Sequence, residues 1–95
     1  MAQNKELLVP AAAKEDSGSF ELARVWIANK AQHVSIRVGV WNDPAAWGIM
    51  LADLAQHVAN AYEQDEAIER SRVLQRIKTA FNAEIDSPTD APKGG

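Results

Sequence analysis

Leu22–Trp41 reads LARVWIANKAQHVSIRVGVW, two β-rich runs separated by a short polar stretch. In the second run Val34, Ile36, Val38 and Val40 alternate with His33, Ser35, Arg37 and Gly39. In the first, Ala23, Val25 and Ile27 alternate with Leu22, Arg24 and Trp26. A period of two places every second side chain on one face of a strand. The spacing predicts an antiparallel hairpin turning at Lys30-Ala31, with Asn29 paired to Gln32; a four-residue loop keeps the same register. Val25 then opposes Ile36, and Ile27 opposes Val34, on one apolar face. A three-residue loop would mix the faces.

The same register sets Arg24 opposite Arg37, Trp26 opposite Ser35, Ala28 opposite His33 and Leu22 opposite Gly39 on the second face. Directly opposed like charges are unfavourable in a sheet. Something has to offset them: a carboxylate such as Glu21, Glu63 or the acidic tail, a bound anion, or a partner chain. Trp26 beside two arginines also suits a stacking or interface surface, because guanidinium planes pack on indole and interfaces favour both residue types. The plain alternative is that the chain's own elements cover this face and Trp26 belongs to the core.

Upstream, Glu6–Val9 is a candidate short strand stopped by Pro10, which cannot donate to a ladder. The following AAAKEDSGS (residues 11–19) reads as a polar loop with Gly18 between serines. Downstream, WNDPAAWGIMLADLAQHVANAY (Trp41–Tyr62) opens a helix: Asp43 suits the N-cap and Pro44 the first turn. Trp47, Met50, Leu51, Leu54, Val58, Ala61 and Tyr62 recur at helical steps and form a buried stripe. This helix should run to about Gln64, roughly 30 Å. A second stripe, Ala67, Leu74, Ile77, Phe81 and Ile85, predicts another helix. No Gly or Pro separates the two, so a break near Asp65 and one long bent helix both fit the pattern. Trp41 and Trp47 bracket the strand-to-helix corner and are expected to pin it, and Gly48 suggests close approach of another backbone.

The fold class expected is therefore α+β: a small antiparallel sheet, the hairpin plus a possible N-terminal strand, covered on one face by two helices. Residues 1–5 should be a flexible N-terminus, residues 6–86 a single domain, and residues 87–95 a flexible tail.

Composition narrows the function. Ile, Leu, Val and Phe number 21 of 95 residues, so the core is thin and a partner subunit would cover apolar surface left over. There is no cysteine, hence no disulfide scaffold, thiolate metal site or thiol nucleophile. A net charge of −3, with five basic and five acidic residues in positions 1–43, argues against a nucleic-acid binder. No apolar run is long enough to span a membrane, and the cytoplasm is the expected location.

Asp53 and His57 stand four residues apart on the first helix, a spacing that lets two side chains reach one metal ion. A transition-metal site needs a third or fourth ligand, and His33 is the only other histidine. The alternative is an ordinary solvated pair. Arg70, Arg72, Arg76 and Lys78 in ERSRVLQRIK read as a solvated, ion-paired face. No phosphate loop, nucleophile elbow or zinc-protease motif occurs. The chain is thus expected to be non-enzymatic and to need no cofactor.

The segments RVWIA (Arg24–Ala28), DPAAWGIMLADLAQHVANAY (Asp43–Tyr62) and SPTD (Ser87–Asp90) resemble a family of small, uncharacterised bacterial proteins classed as a domain of unknown function. The resemblance extends from Glu21 to Asp90. It implies a bacterial α+β domain and carries no catalytic or binding residues. The function expected is a protein–protein interaction module, a homodimer or the binder of an unknown protein, using Arg24, Trp26, Arg37 and His33. A small-molecule or anion site on those residues is the alternative, with metal chemistry at Asp53 and His57 behind it.

Overall fold

The computed structural model describes residues 5–89. The elements in chain order are α1 (Ala11–Glu15), β1 (Ala23–Ala28), β2 (Ala31–Ile36), α2 (Ala45–Glu66) and α3 (Arg70–Asp86). The class is α+β, with one two-stranded antiparallel sheet. The chain divides into two compact units, one reaching Arg37 and the other starting at Val38. The flexible ends expected at residues 1–5 and 87–95 fall mostly outside the described residues.

In the first unit the predicted N-terminal strand is not formed. Lys5–Pro10 has no regular structure, and Leu7 and Leu8 are almost fully exposed. The expected polar loop instead opens with α1. Alanine favours the helical turn, and the carbonyl of Pro10 accepts from the amides of Ala13 and Lys14 at 3.0 and 3.3 Å. The turn then closes on its own polar groups. Ser19 Oγ donates to the Ala13 carbonyl at 2.6 Å, and Asp16 Oδ1 accepts from the Gly18 amide at 2.8 Å.

The hairpin forms with its faces as expected but in a different register. Val25 pairs with Val34, Ala23 with Ile36, Trp26 with His33 and Ala28 with Ala31. The turn is Asn29-Lys30, both left-handed at φ 53° and 61°. Positive φ at both central residues gives the turn whose twist matches two paired strands. Asn tolerates that region and Lys is strained there. Relative to expectation the pairing slips by two residues, an even number, so no side chain changes face. β2 ends at Ile36 rather than continuing to Trp41, because the chain turns over Val38 and Gly39, with Gly39 at φ 80°.

In the second unit Asp43 caps α2 as its sequence predicts. Asp43 Oδ1 accepts from the Ala45 amide at 2.9 Å, its carbonyl accepts from Ala46 at 3.0 Å, and Pro44 is already helical at φ −57°. Trp41 and Trp47 meet edge to face, centroids 5.2 Å apart at 79°, which fixes the corner. Gly48 differs from expectation: a Cβ there would meet no atom within 4 Å. The helices are two, not one bent rod. The chain leaves α2 through Ala67, left-handed at φ 56°, and re-enters a helix at Glu69. α2 and α3 then pack on each other, with Ala59 and Val73 the buried residues among those described.

Candidate functional site

Arg24 and Arg37 share one face of the hairpin, yet they are not opposite each other. Arg24 pairs with Ser35, and the Arg37 amide donates to the Leu22 carbonyl at 2.9 Å, one step further along the same ladder. The expected repulsion is relieved in two ways. The slip sets the arginines on a diagonal, and carboxylates occupy Arg24. Its Nη1 lies 2.6 Å from Glu6 Oε2, while its Nη2 and Nε each lie 3.2 Å from Glu21 Oε2. The hydrogen bond and charge of Glu21, joined by Glu6, raise the Arg24 pKa beyond its ordinary value. These groups are exposed, so solvent screens the pairs and each contributes little to stability.

Arg37 is held differently. Its Nε donates to the backbone carbonyl of Glu21 at 2.9 Å, and its guanidinium lies 5.6 Å from the centroid of the Phe20 ring. Phe20 and Glu21 thus organise both arginines, one through ring and backbone, the other through the carboxylate. Glu21 was among the carboxylates the sequence offered. Glu6 and Phe20 were not, and Phe20 takes the stacking role expected of Trp26. A shallow pocket of about 280 Å³ results, lined by residues of Glu21–Arg24 and Ser35–Arg37. Trp26 and His33 lie outside it. They form the next cross-strand pair, with Trp26 half-buried and His33 Nε2 3.1 Å from the Ala28 carbonyl oxygen.

The hairpin's own residues bury little of its opposite, apolar face. Val25 is 60% exposed, Ile27 74% and Ile36 53%. Only Val34 of the four is half-buried.

On α2, Asp53 and His57 are both exposed, and among the described residues no third ligand joins them. Among the described residues no group of three His, Cys, Asp or Glu side chains converges on a point. No helix among them is long and apolar enough to cross a membrane.

The helical pair carries a second surface that the sequence did not single out. Arg70 Nε donates to Asn60 Oδ1 at 2.7 Å and the Arg70 amide to Glu63 Oε2 at 3.2 Å, folding the start of α3 onto α2. This leaves a groove of about 320 Å³ floored by Tyr62, Ile68, Val73 and Ile77 and edged by Arg72 and Arg76. The expected ion pairing of the basic run is not found: among the described residues the ion pairs all involve Arg24. The apolar stripe of α2 continues from the groove, with Leu51, Leu54, Val58 and Tyr62 between 37% and 51% exposed.

Among curated proteins no significant match is found. A solved structure from the photosynthetic bacterium Rhodopseudomonas palustrus CGA009, described as a candidate pyruvate dehydrogenase, is similar over 98% of this chain and 95% of its own, at 26% identity and a TM-score of 0.77. The family model for "Domain of unknown function (DUF5076)" matches residues 6–89, and the chain belongs to that family.

Proposed function

We propose that this chain is a non-enzymatic interaction module that acts as a homodimer in the cytoplasm. One observation carries the reading. Two described residues are buried, Ala59 and Val73, while Val25, Ile27, Ile36, Leu54, Tyr62 and Phe81 are all 46% exposed or more. A chain folded on its own seldom leaves so much of its aliphatic and aromatic content in water. Two-stranded hairpins and paired helices are both marginal in isolation, and a partner subunit supplies the missing burial. The anion reading ranks second, because Glu6 and Glu21 already occupy Arg24 and the Glu21 carbonyl occupies one Arg37 donor.

Native mass spectrometry beside sedimentation velocity over a concentration series tests the reading. The expected species is twice the chain mass, with no added ligand. A monomer throughout the micromolar range would refute it, and added mass matching an anion would move the assignment to Arg24 and Arg37.

A further inference from the structure

α3 carries its charges at the wrong ends for its own dipole. Its first half holds Arg70, Arg72, Arg76 and Lys78, and its last turns hold Glu84 and Asp86. There is no acidic residue in the first turn and no basic residue in the last. A helix is stabilised by the reverse arrangement, acids at the N-terminus and bases at the C-terminus. Glu69 at the N-cap and the Thr89 hydrogen bonds to Glu84 offset part of this locally, but neither accounts for the basic run from Arg70 to Lys78.

An antiparallel neighbour of the same sequence does. Arg72, Arg76, Ala80 and Glu84 recur every fourth residue and form one ridge of α3, beside the apolar ridge of Val73, Ile77 and Phe81. Arg72 and Glu84 lie six positions either side of Lys78. A twofold axis near Lys78 sets Arg72 of each copy against Glu84 of the other, and each basic half against an acidic half. Ala80 leaves room for close approach, and the two helix dipoles oppose. The groove supplies the apolar part. Tyr62, Val73 and Ile77 line it, the stripe of Leu51, Leu54 and Val58 extends it along α2, and Phe81 extends it along α3.

Resting on the self-association reading, we infer that a second copy docks on the α2–α3 groove with the two α3 helices antiparallel, so that two helical pairs close a four-helix bundle. The area is of the right order. Leu51, Leu54, Val58, Tyr62 and Phe81, each about half exposed, offer roughly 500 Å² per copy before the rim is counted, against about 800 Å² per partner in a standard interface. A rim of mixed sign around an apolar centre is how such interfaces are built.

Charge reversal tests the docking without touching the core. Arg72→Glu and Glu84→Arg are each expected to weaken the homodimer about tenfold, because each creates two like-charge contacts across the axis. The doubly reversed chain restores the contacts and the affinity. Mixing the two single variants should give heterodimers well above the statistical half in native mass spectra, since one copy then carries an acid at both positions 72 and 84 and the other a base at both. Leu54→Glu, checked for helix content by circular dichroism, should leave a monomer. A dimer that survives Leu54→Glu and is lost with Ile27→Glu would place the contact on the hairpin, overturning this inference and leaving self-association intact. Unchanged affinity in both single reversals would overturn the antiparallel register. A monomeric wild type would overturn both the docking and the reading beneath it.

Discussion

Arg70 Nε donates to Asn60 Oδ1 at 2.7 Å, and this bond spans the break between α2 and α3. It joins a half-buried guanidinium to an amide two turns before the end of α2, so the connection cannot straighten while it holds. Hydrogen bonds to a charged group contribute roughly 1.5–3 kcal/mol when shielded from water, and partial exposure here lowers that to about 1 kcal/mol. Asn60→Ala and Arg70→Ala should each cost about that much. The double variant should cost less than the sum, a coupling read from a double-mutant cycle in urea at matched protein concentration. Additive losses would show that the bond does not tie the helices.

Ala67 is the residue at which α2 ends, and its φ of 56° puts an L side chain in the left-handed region. That conformation costs an alanine roughly 1–2 kcal/mol, and glycine adopts it freely. Part of the gain is lost to the greater freedom of glycine in the unfolded chain. Ala67→Gly is therefore expected to stabilise the fold by about 0.5–1 kcal/mol, read as a rise in Tm of a few degrees. A fall in Tm would mean that the break is not held in this geometry.

That residue also shows why the sequence placed the break only approximately, near Asp65, and left one long bent helix open. Alanine is the best helix former, so Glu66–Ala67–Ile68 continues a helical pattern without interruption. What ends the helix is tertiary: Glu63 and Asn60 capture Arg70, and no local signal announces a contact of that kind. The hairpin was legible in its strands and faces because alternation is a local property. Its register was not, because the turn is Asn29-Lys30 and lacks the glycine that marks such turns. Glu21 was legible as a partner for the arginines, lying three positions from Arg24, while Glu6 lies 18 positions away and emerges only when the chain folds. The N-terminal strand failed because Glu6–Val9 finds no ladder to join.

Lys30 sits at φ 61°, where a side chain with Cβ is strained, and its neighbour Asn29 at φ 53° tolerates that region better. Lys30→Gly creates the Asn-Gly pair that favours this turn, and should stabilise the hairpin by about 0.5–1 kcal/mol. A two-residue loop at Lys30-Ala31, the position read from the sequence, would also set Lys30 at positive φ, so the sign of this change does not separate the two positions. Amide exchange at Ala28 and Ala31, which close the ladder, distinguishes the two, with slower exchange expected in the variant.

Zinc should find no site at Asp53 and His57. Both are exposed, and no third ligand stands near them among the described residues. A pair of ligands on a helix gives weak capture, because half of the coordination sphere remains water. Melting temperatures with and without zinc should therefore agree, in the wild type and in His57→Ala alike. A zinc-induced rise that His57→Ala removes would restore the metal reading.

Glu84 closes the C-terminal end of α3. Its Oε2 accepts from the Thr89 amide at 2.9 Å, and its Oε1 accepts from the Thr89 hydroxyl. These bonds favour the carboxylate, the hydroxyl contributing first, and hold the Glu84 pKa below the usual glutamate range. A carboxylate depressed on folding stabilises the folded state above its unfolded pKa, and that contribution fades as pH falls through the lower, folded value. Because Glu84 is exposed, the expected effect is local rather than global. In an acid titration followed by NMR, the Thr89 amide should move with a midpoint below that of an unperturbed glutamate, and Glu84→Gln should flatten the curve. A midpoint at or above the ordinary glutamate value would show that Thr89 does not clasp this carboxylate. The titration also bears on the α3 pairing: protonating Glu84 removes the charge set against Arg72, so the dimer should weaken over the same acid range in which Thr89 responds.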